Sequence, residues 1–231
     1  PIGIGKKTSD ELIHQAAWLG DYQLKQYPGK VYEDGVQALI DTVHDAKRGM
    51  KICVIGPQTN LAEAVKRAPD IAEKSKLVCM AGSVYVGYQG KATPDPEWNV
   101  FKDIAAARAV FAAPWDITIA PLDICGTLIL KGERYQDVAK AKSPRARTVI
   151  ANYDAWSNRK NYPAGESSVL FDTAAAYLVA SQRFAIVKTI NLSIDDKGAT
   201  VPDPTRGRPV HCALSWQDRE KFEEILVKAI R

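Results

Sequence analysis

The stretch KICVIGPQTNLAEAVKR, residues Lys51–Arg67, carries the clearest signal for the fold. Its first part, Lys51–Ile55, is a short apolar run that a glycine and a proline follow directly. Such a run beside a turn signal is typical of a buried strand. Thr59 or Asn60 then suits the start of a helix, and Asn60 with Glu63 three residues later resembles a capping box. The stretch therefore predicts one strand–turn–helix unit.

The alternation of apolar runs and helical patterns continues on both sides of this stretch. It predicts strands over Leu77–Met80, Asp116–Ala120, Phe184–Ile194 and Arg208–Leu214, the last two as a pair. It predicts helices over Gly35–Ala46, Asp103–Phe111, Glu133–Lys142, Arg145–Asn161, Thr173–Gln182 and Gln217–Ile230. Gly198–Gly207 is rich in turn residues and is predicted to be a loop. We therefore predict an α/β fold, a mostly parallel open sheet flanked by helices, as a single domain over residues 1–231.

Composition excludes several classes of function. The 231 residues are 46% hydrophobic and 25% charged, which is ordinary for a globular protein with a full core. The net charge of +4 is scattered rather than gathered in a stripe, so we expect no nucleic-acid partner. No apolar run approaches the ~20 residues that span a bilayer, so we expect no membrane partner and a cytoplasmic protein. The four cysteines lie far apart and indicate neither a zinc site nor a disulfide scaffold; they are Cys53, Cys79, Cys125 and Cys212.

Three segments follow predicted parallel strands and so qualify as parts of a binding site. They are Gly56–Asn60, Met80–Asn99 and Pro121–Asp123. In an open parallel sheet, ligands bind outside the carboxyl ends of the strands. Asp172, at a loop-to-helix junction, can point into the same crevice, although a helix N-cap alone would also explain it. Tyr153, Trp156 and Tyr162 could form a lid over a base, but helix packing is the favoured role for these rings.

The loop Pro94–Asn99 is the segment of this edge that is richest in chemistry. It combines two prolines with the carboxylate of Glu97, an indole and the amide of Asn99. In an extended segment, residues two apart project to the same side, so we expect Glu97 and Asn99 to act together. A carboxylate beside an amide suits neighbouring hydroxyls, such as those of a sugar. These residues alone are also consistent with an exposed polar loop.

Five segments, in order, resemble a known family. They read GPQTNLA at Gly56–Ala62, MAGS at Met80–Ser83, EWNV at Glu97–Val100, PLD at Pro121–Asp123 and FDTAAAYL at Phe171–Leu178. They are similar to the GPLTNLA, MGG, EFN, strand-end and HDPLAVAYL segments of the calcium-dependent, inosine–uridine preferring nucleoside hydrolases. Each motif alone is weak, but five in the same order over nearly the whole chain are fairly specific.

The resemblance implies an activity and a set of site residues. Members of the family hydrolyse the N-glycosidic bond of ribonucleosides and release ribose and a free base. A Ca²⁺ ion with about 6–8 oxygen ligands would bind the ribose hydroxyls and a nucleophilic water. By position, Thr59 would offer its carbonyl to the metal and Asp172 its carboxylate. Glu97 and Asn99 would bind ribose hydroxyls, and Met80 would line the sugar pocket. The expected partner is a ribonucleoside or ribose, with self-association into a homo-oligomer also open.

Two departures from the family pattern change the expectation for this chain. The family's N-terminal aspartate cluster, of the form D-x-D-x-G-x-D-D, has no counterpart here. The opening run Pro1–Gly5 instead resembles an interior strand, so we expect N-terminal strands to be missing and the general base to lie upstream of Pro1. Phe171 stands where many members have a histidine that protonates the leaving base, and it can stack on a base instead.

These departures leave two functions open. We expect little or no hydrolysis by this chain as it stands, because one carboxylate and one carbonyl make a poor calcium cage. The alternative is a non-catalytic sugar- or nucleoside-binding protein on the same scaffold. A different α/β enzyme that binds nucleotides is disfavoured, because no GxGxxG or phosphate-cradling loop is present.

Overall fold

The computed structural model describes residues 1–8, 14–47 and 49–231. The strands are β1 (Ile2–Gly3), β2 (Val31–Tyr32), β3 (Met50–Val54), β4 (Ser75–Met80), β5 (Asp116–Ala120), β6 (Ala185–Ile194), β7 (Thr200–Pro202) and β8 (Arg208–Trp216). The helices are α1 (Ala16–Leu19), α2 (Gly35–Asp45), α3 (Thr59–Arg67), α4 (Ile71–Lys74), α5 (Trp98–Phe101), α6 (Ile104–Ala112), α7 (Leu122–Cys125), α8 (Gly132–Ala139), α9 (Pro144–Ala155), α10 (Phe171–Ala180) and α11 (Arg219–Ile230). Short 3₁₀ turns cover Leu24–Gln26, Tyr88–Gly90 and Arg159–Asn161.

A six-stranded sheet organises the chain, in the order β3-β4-β5-β8-β6-β7. The four strands β3, β4, β5 and β8 are parallel neighbours. Strand β6 pairs antiparallel with β8, and β7 pairs antiparallel with β6. The prediction of a mostly parallel sheet flanked by helices is therefore confirmed, and the antiparallel strands are confined to one side of it.

Helices cover both faces of the sheet, and β4 shows how its residues divide between them. Leu77 and Cys79 point into a core that α2, α3 and α6 complete. Val78 and Met80 point to the other face, against α7 and α10. This alternation follows from the two-residue period of a strand. It places Met80, the last residue of β4, at the carboxyl edge on the α10 side.

Several local predictions are wrong, each for a physical reason. Helix α3 is capped by Gln58, without a side-chain bond, and not by Thr59 or a capping box. The side chain of Asn60 instead accepts a bond from the backbone N–H of Lys6. Asp172 lies inside the first turn of α10, where Leu170 holds the cap position. In each case a tertiary partner or a shifted helix start replaces the local capping pattern.

Three further features of the chain bear on the predictions. The opening run Pro1–Gly5 contains the exposed two-residue strand β1, which pairs with β2 outside the main sheet, and the expectation of missing N-terminal strands stays a prediction. The predicted loop Gly198–Gly207 contains β7, because a glycine turn at Gly198, with φ of 80°, folds that segment back onto β6. Of the three cysteines in predicted strands, Cys79 and Cys212 are buried but Cys53 is exposed on the edge strand β3. Among the described residues, no helix has the length and apolar character needed to cross a membrane.

Candidate active site

A cavity of about 470 Å³ opens at the carboxyl edge of the sheet. The ends of β3 and β4, the loop after β4 and the start of α10 form its walls. Its lining residues are Ile55, Met80, Tyr88, Glu97, Trp98, Asn99, Phe171 and Asp172. This position agrees with the rule that ligands of open parallel sheets bind beyond the carboxyl ends of the strands.

Glu97 is the most unusual group in this cavity because its carboxylate is buried. Only 2% of the residue is exposed. One oxygen accepts the backbone N–H of Asn99 at 2.9 Å, and the other accepts that of Gly82 at 3.0 Å. Burial raises the pKa of the Glu97 carboxyl to about 7, while these N–H groups oppose the shift and the charge of Asp172 adds to it. Near neutral pH, Glu97 can therefore carry a proton or release it.

Asn99 lies beside Glu97 in the cavity but not in the expected way. Glu97 caps α5 and Asn99 is in its first turn, so the segment is not extended there. The amide nitrogen of Asn99 donates to the carbonyl of Met80 at 3.1 Å and lies 3.1 Å from the Met80 sulfur. The helix thus brings both polar side chains to one cavity through a cap, rather than through strand alternation.

Asp172 and Phe171 enter the cavity from the first turn of α10. The ring of Phe171 packs edge-on against Tyr88, with centroids 6.1 Å apart. Asp172 is solvent-exposed as a residue, but protein atoms around its carboxyl group partly desolvate it. This desolvation raises the pKa of the Asp172 carboxyl. The cavity therefore presents two carboxyls, an amide and aromatic surface to a ligand.

Thr59 lies outside the lining of this cavity. Its hydroxyl donates to Asp103 at 2.8 Å and contacts the hydroxyl of Thr8 at 3.1 Å. The preceding residue, Gln58, is fully buried, and neither polar atom of its side chain has a partner among the described residues. The assignment of the Thr59 carbonyl to a metal stays a prediction.

The side chains present do not by themselves fit a calcium ion. A Ca²⁺ site takes about 6–8 oxygen ligands, mostly carboxylates, carbonyls and waters. In residues 1–8, 14–47 and 49–231, no three His, Cys, Asp or Glu side chains meet as a metal-binding group. Glu97 is buried and each of its oxygens accepts one backbone N–H group, so Asp172 is the exposed carboxylate among the lining residues of the cavity.

The three aromatic residues for which the sequence left open a lid or a packing role contact one another. The ring centroid of Trp156 lies 6.3 Å from that of Tyr153 and 5.7 Å from that of Tyr162. This contact agrees with the packing role that the sequence favoured. The same rings also line a second cavity, of about 340 Å³, which shares Phe171 with the first.

Three lining residues escaped the sequence-based assignment of site roles. Ile55 follows β3 directly, Tyr88 lies in the loop after β4, and Trp98 separates Glu97 from Asn99. All three lie at or near the carboxyl edge, so position along the predicted strands was the available signal. Apolar side chains line the walls of many ligand sites, but they carry no reactive group by which a sequence can assign them to a site.

The fold and cavity define an α/β protein with a buried acid–amide pair at the carboxyl edge of its sheet. The sequence matches the family described as "Inosine-uridine preferring nucleoside hydrolase" over residues 1–228. The chain belongs to this family.

Two individual relatives show how far the similarity extends. An uncharacterized protein of Schizosaccharomyces pombe is 34% identical over 100 residues, which are 43% of this chain and 32% of that protein. The inosine-uridine preferring nucleoside hydrolase of Crithidia fasciculata is 27% identical over 217 residues, which cover 89% of this chain and 68% of that enzyme. The chain thus spans about a third to two thirds of the length of these relatives.

A solved structure shows the same fold. The purine-preferring ribonucleoside hydrolase of Gardnerella vaginalis superposes with a TM-score of 0.79 at 22% identity. The superposition covers 99% of this chain and 78% of that one.

Proposed function

We propose that the cavity binds the ribosyl group of a ribonucleoside and that the whole protein hydrolyses the N-glycosidic bond to ribose and a free base. The observation that carries this proposal is the meeting of Glu97, Asn99 and Asp172 in one cavity of about 470 Å³. Family membership supports the same reaction.

The chemistry of these side chains suits a sugar. Ribose hydroxyls can donate to the carboxylates of Glu97 and Asp172, since a carboxylate offers about four lone-pair sites and Glu97 uses two for N–H groups. Cleavage of the N-glycosidic bond leaves positive charge on the sugar. Carboxylates held close to it gain attraction as that charge develops, which favours the transition state over the bound substrate. Phe171 offers a ring face or edge to the base.

We further propose that this chain alone binds nucleosides or ribose with little or no turnover. Hydrolysis needs a water activated by a general base at the sugar carbon. Glu97 is buried and accepts two backbone N–H groups, and Asp172 is the other carboxylate among the lining residues of the cavity. A sugar- or nucleoside-binding protein without catalysis is the second candidate, and the same observation favours it.

Calcium enters this proposal only for the whole protein. Asp172 would offer one carboxylate and Thr59 one carbonyl, which together fall short of the about 6–8 oxygen ligands that the ion takes. We assign no catalytic step of this chain to the ion. One domain over residues 1–231, a cytoplasmic location and self-association also remain proposals, and light scattering after gel filtration would test the last.

Calorimetry and a product assay, run on the same sample, test the proposed function. We expect inosine and ribose to bind, and chromatography to detect little or no free base. Asn99→Ala and Asp172→Ala should each weaken ribose binding, whereas Asp196→Ala, whose exposed side chain lies outside the cavity and pairs with Arg108, should leave it unchanged. Absence of binding by both ligands in the folded wild type would overturn the proposal.

A further inference from the structure

The loop after β4 is held by an unusual set of hydrogen bonds. The backbone N–H groups of four consecutive residues, Gly82–Tyr85, each donate to a side-chain oxygen. The acceptors come from three distant places in the sequence: Glu97, Thr200 and Asp123. Side chains, rather than strand pairing, therefore satisfy the backbone of this loop.

Thr200 holds the middle of the loop from β7. Its hydroxyl accepts the N–H of Ser83 at 2.9 Å and donates to the carbonyl of the same residue at 2.8 Å. Thr200 is 2% exposed and Ser83 is fully buried, so no water substitutes for these bonds. A Cβ atom on Gly82, whose φ is 83°, would lie 2.9 Å from the side chain of Thr200. The close approach of Thr200 thus depends on glycine at position 82.

Asp123 holds the far side of the loop from α7. Its two carboxylate oxygens accept the N–H groups of Val84 and Tyr85, both at 2.8 Å. The neighbouring N–H of Leu122 donates to the carbonyl of Gly82 at 2.9 Å. Thr200 and Asp123 therefore fix the loop from two separate segments of the chain, and neither residue lines the cavity of about 470 Å³.

Resting on the proposed function, we propose that Thr200 and Asp123 are positioning residues for the sugar site. They hold the Gly82–Tyr85 loop so that the N–H of Gly82 donates to one oxygen of Glu97. This bond orients the Glu97 carboxylate, and so the lone pairs that remain free for ribose hydroxyls. The contacts run from Thr200 and Asp123 through the loop backbone to Glu97. The sugar-binding geometry therefore depends on β7, a segment far from the cavity in sequence.

Titration of Glu97 reports this positioning without any ligand. The N–H of Gly82 stabilises the charged carboxylate and lowers its pKa, against the larger effect of burial. A loop that moves away from Glu97 removes this stabilisation, so the carboxyl should then titrate at higher pH. The ionisable groups near Glu97 are Asp172, Tyr88, Cys79 and Cys125, and none of them is changed by substitution of Thr200.

Carboxyl-carbon NMR of Glu97 in Thr200→Val tests the proposal directly. We expect the titration midpoint to rise by roughly half a pH unit or more. Thr200→Ser keeps the hydroxyl and should restore the wild-type midpoint. Thr205→Val removes a hydroxyl in the turn after β7 that donates to Asp203 at 2.9 Å, and Glu97 in this variant should titrate as in the wild type. An unchanged midpoint in folded Thr200→Val would overturn the proposal.

Asp123→Asn keeps the proposal falsifiable if Thr200→Val does not fold. An amide can accept one of the two N–H groups but not both, so the loop should loosen and the Glu97 midpoint should rise. Loss of a negative charge alone would move the midpoint the other way, so a fall or no change contradicts the proposal. These titrations need no ligand, so their outcome does not depend on ribose binding. Failure of ribose to bind would overturn the proposed function, whereas an unchanged Glu97 midpoint would overturn only the positioning role.

Discussion

The carboxyl and amino edges of the same sheet differ in the burial of their acidic side chains and in the direction in which the pKa of each is shifted. At the carboxyl edge, Glu97 is buried, takes its bonds from backbone N–H groups and has a raised pKa. At the amino edge, Asp116 is exposed, bonds Lys76 at 2.6 Å and lies 3.3 Å from His211. The hydrogen bond from Lys76 lowers the pKa of the Asp116 carboxyl.

This contrast indicates which edge is built for a ligand. The amino-edge group, defined as Lys76, Asp116 and His211, is a set of solvated ion pairs that cost little to form and contribute little. A buried carboxylate that titrates near neutral pH is costly and is typical of a functional site. Both edges have a cavity, of about 470 Å³ and about 240 Å³, so volume alone does not distinguish them.

The largest expected effect is a dependence of stability on pH that Glu97 alone produces. Its pKa rises from an ordinary value of 4.5 to about 7 in the fold, so the folded state binds more protons than the unfolded state between these values. Protonation of Glu97 therefore contributes up to about 3 kcal/mol to the free energy of unfolding. The contribution is fully present below about pH 4.5 and is lost as pH rises through about 7. Urea unfolding of the wild type and Glu97→Gln from pH 4 to 8 measures the difference.

The comparison with the amino edge fixes the sign of this effect. The lowered pKa of Asp116 works in the opposite direction, with stability present above its ordinary value of 3.8 and lost as pH falls through the folded value. Subtraction of the Glu97→Gln curve from the wild-type curve should leave a stability difference that falls as pH rises. A flat difference would contradict a raised pKa at Glu97.

Next in size is the loss of sugar affinity when the acid–amide pair is broken. Asn99→Ala removes a buried amide that donates to Met80, and we expect ribose affinity to fall by about 1–3 kcal/mol. Calorimetry with ribose measures it. Circular dichroism checks that the variant is folded, and wild-type affinity in a folded variant would exclude Asn99 from the site.

A smaller effect is expected at Phe171, where the contribution of the base to binding can be measured apart from that of the sugar. Phe171→Leu keeps an apolar side chain but removes the ring, so inosine should lose about 1 kcal/mol of binding while ribose keeps its affinity. Parallel titrations with the two ligands provide the control within one variant. Equal losses for both ligands would show that Phe171 supports the pocket rather than the base.

The smallest effect is expected at the amino edge. Asp116→Asn breaks ion pairs whose side chains are 42–62% exposed, so stability should change by less than about 1 kcal/mol and ribose binding should not change. Thermal unfolding and calorimetry check both values. A loss of ribose affinity in this variant would reverse the assignment of the two edges.

Calcium provides a last comparison between the chain and the family pattern. Because Asp172 is the exposed carboxylate among the lining residues and Glu97 is buried, we expect calcium to bind this chain only at millimolar concentrations or above. Addition of a chelator should leave ribose affinity within about twofold of its original value. Tight binding of calcium would show that further ligands meet in the cavity.

The sequence was sufficient where a signal is local. Strand β5 occupies Asp116–Ala120 as predicted, because its apolar run stops at a proline. The rule that ligands bind at the carboxyl edge, together with the motif resemblance, also selected five site residues from the sequence. All five line one cavity: Met80, Glu97, Asn99, Phe171 and Asp172.

The sequence was insufficient where partners come from distant segments. A loop acid such as Glu97 gives no local sign of burial, since its cover and its Gly82 bond depend on tertiary packing. Strand β7 exists because Thr200 and its neighbours pair with β6 and bond the loop after β4. The capping predictions failed for the same reason, because Asn60 bonds a distant segment at Lys6.

Backbone and side-chain amide NMR during a ribose titration tests the central claim most directly. We predict that the side-chain amide of Asn99 and the backbone amide of Gly82 shift, while the amides of Lys76 and Asp116 stay unchanged. Shifts confined to the amino edge, or no shifts at saturating ribose, would contradict the assignment of the sugar site to the carboxyl edge.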